Sequence, residues 1–280
     1  MKSRREFLKA GAMFAGAAAL SAQAIPIGSK KIPVGLQLYS FRDQAKDGFD
    51  LIVKKAAELG YSGVEFAGYG PYGNKPEELK KLLDECKLKA FGTHTGYGAL
   101  QGDNLQRTMD FHKAIGCKYI IIPGMGDDLI GTKDACLKTA EILTGISEKV
   151  QKEGLHIGYH AHGGDFGKID GNLTKWEVLF DNTPKAFVHQ IDIGNAWDNN
   201  DPERPYRMME RYKGRSLTVH LKEHGGPKGA VFGQGVVDFK KAILLGETIG
   251  GTTCFIVEHE SDPANAFECA KKCIDYLKTL

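Results

Sequence analysis

Acidic residues and histidines follow four apolar segments in the second half of the chain, and side chains of these types bind metals and transfer protons. The segments are residues 156–163 (HIGYHAHG), 190–197 (QIDIGNAW), 217–224 (LTVHLKEH) and 254–260 (CFIVEHE). Each apolar part is typical of a β-strand, in which successive side chains alternate between two faces. His160 and His162 therefore share a face, and so do Glu258 and Glu260. The same spacing relates His220, Lys222 and His224.

This pattern predicts that the four segments are neighbouring strands and that each delivers one ligand to a shared divalent cation. The predicted ligands are His160, Asp192, His220 and Glu258. Buried charged groups need partners of this kind, because the removal of a charge from water is costly. Mixed imidazole and carboxylate ligands favour Mn, Co, Zn or Fe over Mg or Ca.

Further polar side chains fall at predicted strand ends and are candidates for proton transfer and substrate binding. The candidate acids and bases are Glu258, Lys222, Glu260 and His162, which the sequence does not rank. The candidate substrate contacts are Glu65, His94 and Trp197. Glu65 and His94 are equally compatible with a structural pair. Lys222 could instead be the ion-pair partner of a nearby acid, and Trp197 a packing residue. We interpret His112, His156 and His189 as structural.

Eight β-type segments alternate with eight helical segments after residue 31. The predicted strands are residues 32–39, 63–66, 90–95, 119–123, 156–161, 187–193, 217–222 and 254–258. The predicted helices are residues 49–59, 76–86, 104–115, 132–153, 176–180, 202–212, 238–249 and 263–277. This order indicates a parallel sheet, and eight units favour a closed (β/α)8 TIM barrel. No G-x-G-x-x-G motif follows the first strand, which argues against a dinucleotide-binding fold.

The segments that follow predicted strands are longer than those that follow predicted helices. Residues 163–173 and 225–236, for example, are rich in glycine and polar residues. In a barrel of this type, the loops after the strands form the face that carries the active site. The predicted metal group therefore lies at that rim.

The N-terminal residues are predicted to be an export signal rather than part of the fold. Residues 3–9 (SRREFLK) form a twin-arginine pattern, residues 10–20 are apolar, and residues 22–24 (AQA) fit a cleavage site. The apolar run is shorter than the ~20 residues of a membrane span. We therefore predict a signal peptide at residues 1–24, a single barrel domain at 25–280, and a periplasmic or otherwise exported protein without a lasting membrane span. The alternative is a basic N-terminal helix.

The net charge bears on the choice of partners, and the cysteines bear on whether the chain contains disulfides. The formal net charge is +2 and no basic run is present, so nucleic acid is not a favoured partner. The six cysteines form no C-x-x-C motif, and most fall within predicted strands or helices. We predict buried free thiols, with a structural disulfide as the alternative.

Three features together resemble the xylose isomerase-like TIM-barrel superfamily of sugar isomerases and epimerases. They are the first strand, residues 34–40 (VGLQLYS), the glycine turn at 233–238 (GQGVVD) and the set of strand-end ligands. The family's metal ligands are commonly Glu, Asp, His and Glu on strands five to eight. Asp192, His220 and Glu258 match the last three positions, whereas His160 stands at the first. The Tyr-His-x-His branch resembles exported proteins linked to carbohydrate breakdown, some of which act on 3-keto sugars.

The resemblance implies a small-molecule carbohydrate substrate and metal-assisted enolisation. We expect a sugar isomerase or epimerase that works through an enediolate. A 3-keto-glycoside lyase or dehydratase with the same first step is the close alternative, because the family's first glutamate is replaced by His160. A non-catalytic exported sugar-binding barrel is a third reading. An endonuclease-IV-like barrel is disfavoured by the near-neutral charge and the export pattern.

Replacement of both leader arginines should stop export. In the variant with Arg4→Lys and Arg5→Lys, the twin-arginine pattern is lost while the positive charge is retained. We expect the variant to accumulate in the cytoplasm, as measured by cell fractionation and immunoblotting. Export equal to that of the unchanged chain would show that the pattern is not used.

Overall fold

Eight short apolar segments form the strands of a parallel barrel in the computed structural model, which describes residues 32–280. The strands are β1 (Val34–Gln37), β2 (Gly63–Phe66), β3 (Lys89–His94), β4 (Tyr119–Ile122), β5 (His156–His160), β6 (Val188–Gln190), β7 (Thr218–Leu221) and β8 (Cys254–Val257). They pair in the order β6-β5-β4-β3-β2-β1-β8-β7. The predicted (β/α)8 TIM barrel is therefore confirmed. The predicted leader, residues 1–24, lies outside the described residues.

The barrel closes between β6 and β7 through a seam of few backbone contacts. Because β6 has only three residues, its ladder with β7 is reduced to one bridge, between Asp192 and His220. Backbone hydrogen bonds run from His220 N to Ile191 O at 2.9 Å and from Ile193 N to His220 O at 3.1 Å. This pairing sets two of the predicted metal ligands side by side.

In the described part of the chain, eight helices of seven or more residues cover the outside of the barrel. They are α1 (Phe49–Glu58), α2 (Pro76–Glu85), α3 (Asn104–Ile115), α4 (Lys133–Lys152), α5 (Lys175–Asp181), α6 (Arg204–Arg211), α7 (Phe239–Leu245) and α8 (Ala266–Leu277). Most bounds agree closely with the predicted ones. Their buried apolar side chains pack on the strands, with Trp176 of α5 fully enclosed.

Two local differences from the sequence prediction have identifiable causes. The seventh helix was predicted to reach residue 249 but ends at Leu245 and continues as a π-helical turn, Gly246–Gly250. A side chain at Gly246 would lie 2.7 Å from the Phe255 ring, so the backbone approaches the barrel closely there. The predicted loop at 163–173 contains a small hairpin of Lys168–Asp170 and Leu173–Thr174, which turns at Gly171 with φ of 59°.

The barrel interior is apolar at its N-terminal end. Phe91, Cys254 and Ile256 form a separate buried cluster there. Gly35 and Gly63 leave room for the Phe91 ring, because an added Cβ would lie 2.6 Å and 2.7 Å from it, respectively. The polar interior side chains are consequently gathered at the C-terminal ends of the strands.

The cysteines are free thiols, five of them buried and Cys86 half-buried. Burial raises the pKa of the Cys117 thiol to about 12, which keeps that thiol protonated and unreactive. Among the described helices, none combines the length and the apolar character that crossing a bilayer requires.

His112 is a buried structural residue of α3 that faces the barrel. Its Nδ1 lies 2.6 Å from the carbonyl oxygen of Thr108, so Nδ1 carries the proton. Nε2 therefore accepts a hydrogen bond from the Thr93 hydroxyl at 2.6 Å. His189 is similarly enclosed and accepts from Trp176 Nε1 at 2.9 Å. These contacts agree with the interpretation of both histidines as structural.

Acid should destabilise the fold in part through His112. Burial lowers the pKa of this residue from 6.5 to about 4. The unfolded chain therefore binds more protons than the folded chain between these values, so the contribution is complete above pH 6.5 and is lost as pH falls towards 4. Between pH 7 and pH 5 the free energy of unfolding should lose about 2 kcal/mol from this residue. Urea unfolding at pH 7 and pH 5 measures this loss, and His112→Gln should lose less free energy of unfolding than the unchanged chain, by that amount. Equal losses in the two proteins would contradict the role of His112.

Candidate active site

The four predicted metal ligands meet at the C-terminal end of the barrel. They are His160 at the end of β5, Asp192 after β6, His220 in β7 and Glu258 after β8. All four side chains are buried, and one potential ligand atom from each lies within 4.8 Å of the others. Parallel strands direct their carboxyl ends to one rim, which explains why segments distant in sequence converge.

One carboxylate oxygen in this group has no polar partner. Asp192 Oδ1 accepts a hydrogen bond from the Asn195 backbone N–H at 2.7 Å. Asp192 Oδ2 is buried and makes no hydrogen bond to any residue that the structure describes. It faces His220 Nδ1 at 3.8 Å, and the same nitrogen lies 2.7 Å from Glu258 Oε2. A buried, unpartnered carboxylate oxygen beside an imidazole and a second carboxylate fits a divalent cation.

A second layer of buried polar side chains lies beneath the ligands. Glu65 on β2 is completely buried and accepts hydrogen bonds from both Gln37 and Gln190 at 2.8 Å. The same carboxylate accepts from His220 Nε2 at 2.6 Å. Gln190 Oε1 in turn lies 3.0 Å from His160 Nδ1. Two ligand imidazoles are thus held from below by one connected network.

The electrostatics of the group favour a bound cation. Burial alone would lower the pKa of His220, but Glu65 and Glu258 outweigh it and raise the pKa to about 10. Burial raises the pKa of Asp192 to about 6. Burial also opposes ionisation of Glu65, yet His94 and His220 hold its pKa well below the usual range. Four carboxyl groups, of Glu65, Asp192, Glu258 and Glu260, stand beside two cationic side chains, His220 and Lys222. A divalent cation would balance the remaining negative charge.

A cavity of about 420 Å³ opens above the ligand group. Its lining residues are Tyr39, Ala67, His94, Pro123, His160, His162, Asn195, Lys222, Glu258 and Glu260. All four candidate acids and bases, Glu258, Lys222, Glu260 and His162, are therefore at the cavity. Another cavity, of about 760 Å³, lies beside α3, and none of the four predicted ligands lines it.

The candidate acids and bases form two sets on different strands. Lys222 follows β7 and pairs with Glu258 at 3.3 Å and with Glu260 by a shorter contact. Although burial opposes its charge, Asp192 and Glu258 raise the pKa of Lys222, which therefore stays protonated. His162 follows β5, and burial lowers its pKa, so its imidazole is neutral near pH 7. Lys222 is thus both an ion-pair partner and a cavity residue.

The three predicted substrate contacts have different locations. His94 lines the cavity, where a substrate could reach it. Glu65 has no exposed surface and lies below the ligands, because both of its oxygens are enclosed by hydrogen-bond donors. Trp197 is half-buried in the loop after β6, where its ring stacks on His224 with centroids 6.1 Å apart, and it is not among the lining residues.

Sequence reasoning missed Gln37 and Gln190, which connect the ligand group to Glu65. Both are completely buried and polar. Gln190 precedes Asp192 by two residues and therefore faces the barrel interior with it, which is a signal that the alternation of side chains contains.

Comparison with known proteins agrees with the architecture. A sequence profile described as xylose isomerase-like TIM barrel matches residues 53–280. The inosose dehydratase of Klebsiella pneumoniae subsp. pneumoniae is 26% identical over 275 aligned residues, which cover 84% of this chain and 90% of that protein. A sugar phosphate isomerase/epimerase from Parabacteroides distasonis superimposes with a TM-score of 0.71 and 21% identity, over 92% of this chain and 97% of the other. D-allulose 3-epimerase from Methylomonas sp. in complex with D-allulose gives 0.65 and 15%, over 89% and 96%.

Removal of the unpartnered carboxylate oxygen should abolish metal retention. Asp192→Asn keeps an oxygen that accepts from the Asn195 N–H. It puts an uncharged NH₂ group, which cannot bind a cation, in place of Oδ2. We expect elemental analysis to find about one divalent ion per unchanged chain and much less in this variant. Asp198→Asn is a matched control on the same loop, because Asp198 pairs with Arg204 instead. Equal metal content in both variants would remove Asp192 from the ligand set.

Proposed function

The chain belongs to the xylose isomerase-like TIM barrel family and is an enzyme, and we propose that it removes a proton next to the carbonyl group of a keto-sugar. The observation that carries this proposal is the buried carboxylate–imidazole group, with its unpartnered Asp192 oxygen, beneath a polar cavity. A sugar-sized ligand fits such a cavity, and the candidate acids and bases line it.

The proposed role of the buried group is to hold a divalent cation. The ligands would be His160, Asp192, His220 and Glu258. Imidazole and carboxylate donors together favour Mn, Co, Zn or Fe over Mg or Ca. When bound, such a cation supplies Lewis acidity, which polarises a carbonyl oxygen and makes the neighbouring C–H group more acidic.

We assign proton removal to Glu260. Its side chain is 31% exposed and pairs with Lys222, whereas that of Glu258 is 6% exposed and is held between His220 and Lys222. Glu260 is therefore the carboxylate that is freer to reach a substrate carbon. The C–H electron pair would become the enolate, and the proton would move to the carboxylate. Protonated Lys222 would hold Glu260 in place and donate to a substrate oxygen.

Elimination is the outcome that we favour after proton removal. Glu258 and Glu260 follow the same strand, and β5 carries His160 where a second carboxylate would be needed on the opposite wall. On that wall, the N–H group of neutral His162 would hydrogen-bond to the departing oxygen. The C–O bond would then break as the carbon–carbon double bond forms, and the oxygen would take up the proton that Glu260 removed and leave as water or as an alcohol. Similarity to proteins named inosose dehydratase supports this outcome.

Isomerisation or epimerisation is the second candidate. Proteins of similar fold are named as a sugar phosphate isomerase/epimerase and a D-allulose 3-epimerase. In that reaction a proton would return to a substrate carbon rather than pass to a leaving group. The non-catalytic sugar-binding barrel is not retained, because the family and the relatives indicate an enzyme.

The two outcomes differ in what becomes of the substrate in deuterated water. We expect keto-inositols to lose water and 3-keto-glycosides to lose their aglycone. Mass spectrometry and NMR would measure both losses. Deuterium uptake without loss of a group would instead support epimerisation, and no exchange with any keto-sugar would refute the proposed function.

Glu260→Gln tests the assigned base. The rate should fall by roughly 10²-fold or more while the metal content is retained, because the amide cannot accept the proton. Glu268→Gln is the matched control, since Glu268 pairs with Lys272 on the exposed side of α8 and should keep the full rate. Full activity in Glu260→Gln would assign the base elsewhere.

A further inference from the structure

We propose that Glu65 is a positioning residue, which acts through Gln190 to determine which ring nitrogen of His160 carries the proton. The inference rests on the proposed metal group, because it concerns the nitrogen that His160 offers to a cation. Glu65 does not line the cavity and is completely buried, so its influence must pass through its hydrogen-bond partners.

Glu65 is the acceptor in every contact that the structure describes for it. Oε1 accepts from Gln37 Nε2 at 2.8 Å and from His220 Nε2 at 2.6 Å, and His94 Nε2 lies 3.0 Å from it. Oε2 accepts from Gln190 Nε2 at 2.8 Å. An ionised carboxylate has no proton to donate, so each partner must present an N–H group to it.

This requirement determines the orientation of the Gln190 side-chain amide. Its NH₂ group faces Glu65 Oε2 and Thr218 Oγ1, both at 2.8 Å. Its carbonyl oxygen therefore faces His160 Nδ1 at 3.0 Å and His94 Nε2 at 3.1 Å. Because a carbonyl oxygen only accepts hydrogen bonds, Nδ1 of His160 must carry the proton and Nε2 keeps the lone pair.

The consequence for metal binding is direct. A neutral imidazole binds a metal through its unprotonated nitrogen, and the partner of the other nitrogen decides which one that is. Glu65 therefore leaves Nε2 of His160 available. The same carboxylate holds the Nε2–H group of His220, whose Nδ1 is turned towards Asp192 and Glu258. One buried anion thus orients ligands from two strands.

Glu65→Gln should reverse this arrangement at His160. The new side-chain oxygen must still accept from His220, so the new NH₂ group faces the NH₂ group of Gln190. Two donors cannot bond, and the Gln190 amide must rotate by half a turn. Its NH₂ group then points at His160 Nδ1, which becomes an acceptor, and the proton moves to Nε2.

Exchange of the two side chains provides a matched rescue. In the double variant Glu65→Gln with Gln190→Glu, the amide at position 65 can donate to the carboxylate at position 190. That carboxylate again accepts from His160 Nδ1, so the original proton position returns with composition and net charge unchanged. Thr218→Val is a second control, because it removes one acceptor of the Gln190 amide and leaves Glu65 in place.

The experiment reads the protonated nitrogen and the metal affinity separately. Long-range ¹H–¹⁵N NMR of the full-length, metal-free chain at neutral pH should show protonated Nδ1 on His160 in the unchanged chain, in Thr218→Val and in the double variant. Glu65→Gln should show protonated Nε2. In titrations with Mn²⁺ alone, monitored by electron paramagnetic resonance of the free ion, Glu65→Gln should bind ~10–100-fold more weakly. The double variant should recover the affinity.

Several outcomes would overturn the inference. Protonated Nε2 on His160 in the unchanged chain would do so even if Glu65→Gln failed to fold. An unchanged proton position in Glu65→Gln, or its failure to return in the double variant, would leave Glu65 a purely structural role. If the unchanged chain bound no Mn²⁺, the proposed metal function would be wrong, while the NMR pattern of the metal-free chain would still decide the role of Glu65.

Discussion

Buried charge is the constraint on which the rest of this molecule depends. Glu65, Asp192 and Glu258 lie out of water at one end of the barrel, where an ionised group is costly unless it has partners. His220 bridges two of these acids, yet Asp192 Oδ2 remains without a hydrogen bond among the described residues. The remaining negative charge is the physical basis for the cation that we propose at this position, and the cavity lies above it.

The interior of the barrel has an apolar part and a polar part, which lie at opposite ends. The N-terminal end is filled by Phe91 and its apolar neighbours, for which glycines on β1 and β2 leave space. The C-terminal end carries the amide and carboxylate side chains, which hydrogen-bond to one another across the interior. Because each strand contributes side chains to both parts, a polar residue near the C-terminal end of a strand can be buried without disturbing the apolar packing below.

Much of the architecture could be predicted from the sequence because strands and helices here have distinct periodic patterns. His160 and Glu258 could be placed together because apolar runs end beside them and parallel strands share a rim. The role of Glu65 could not be predicted in this way. It depends on hydrogen bonds across the barrel to Gln190, which lies 125 residues later in the chain. The position of Trp197 against His224, away from the cavity, could not be predicted either, because no periodic pattern indicates the direction of a loop after its strand.

The seam between β6 and β7, which has few backbone contacts, would couple closure of the barrel to the proposed metal binding. Asp192 and His220 stand on opposite sides of that seam and are joined by a single backbone bridge. A cation bound by both side chains would cross-link the two strands at this seam. Because it would bind only the folded form, it would raise the free energy of unfolding. Closure of the barrel and binding of the ion would then be thermodynamically coupled.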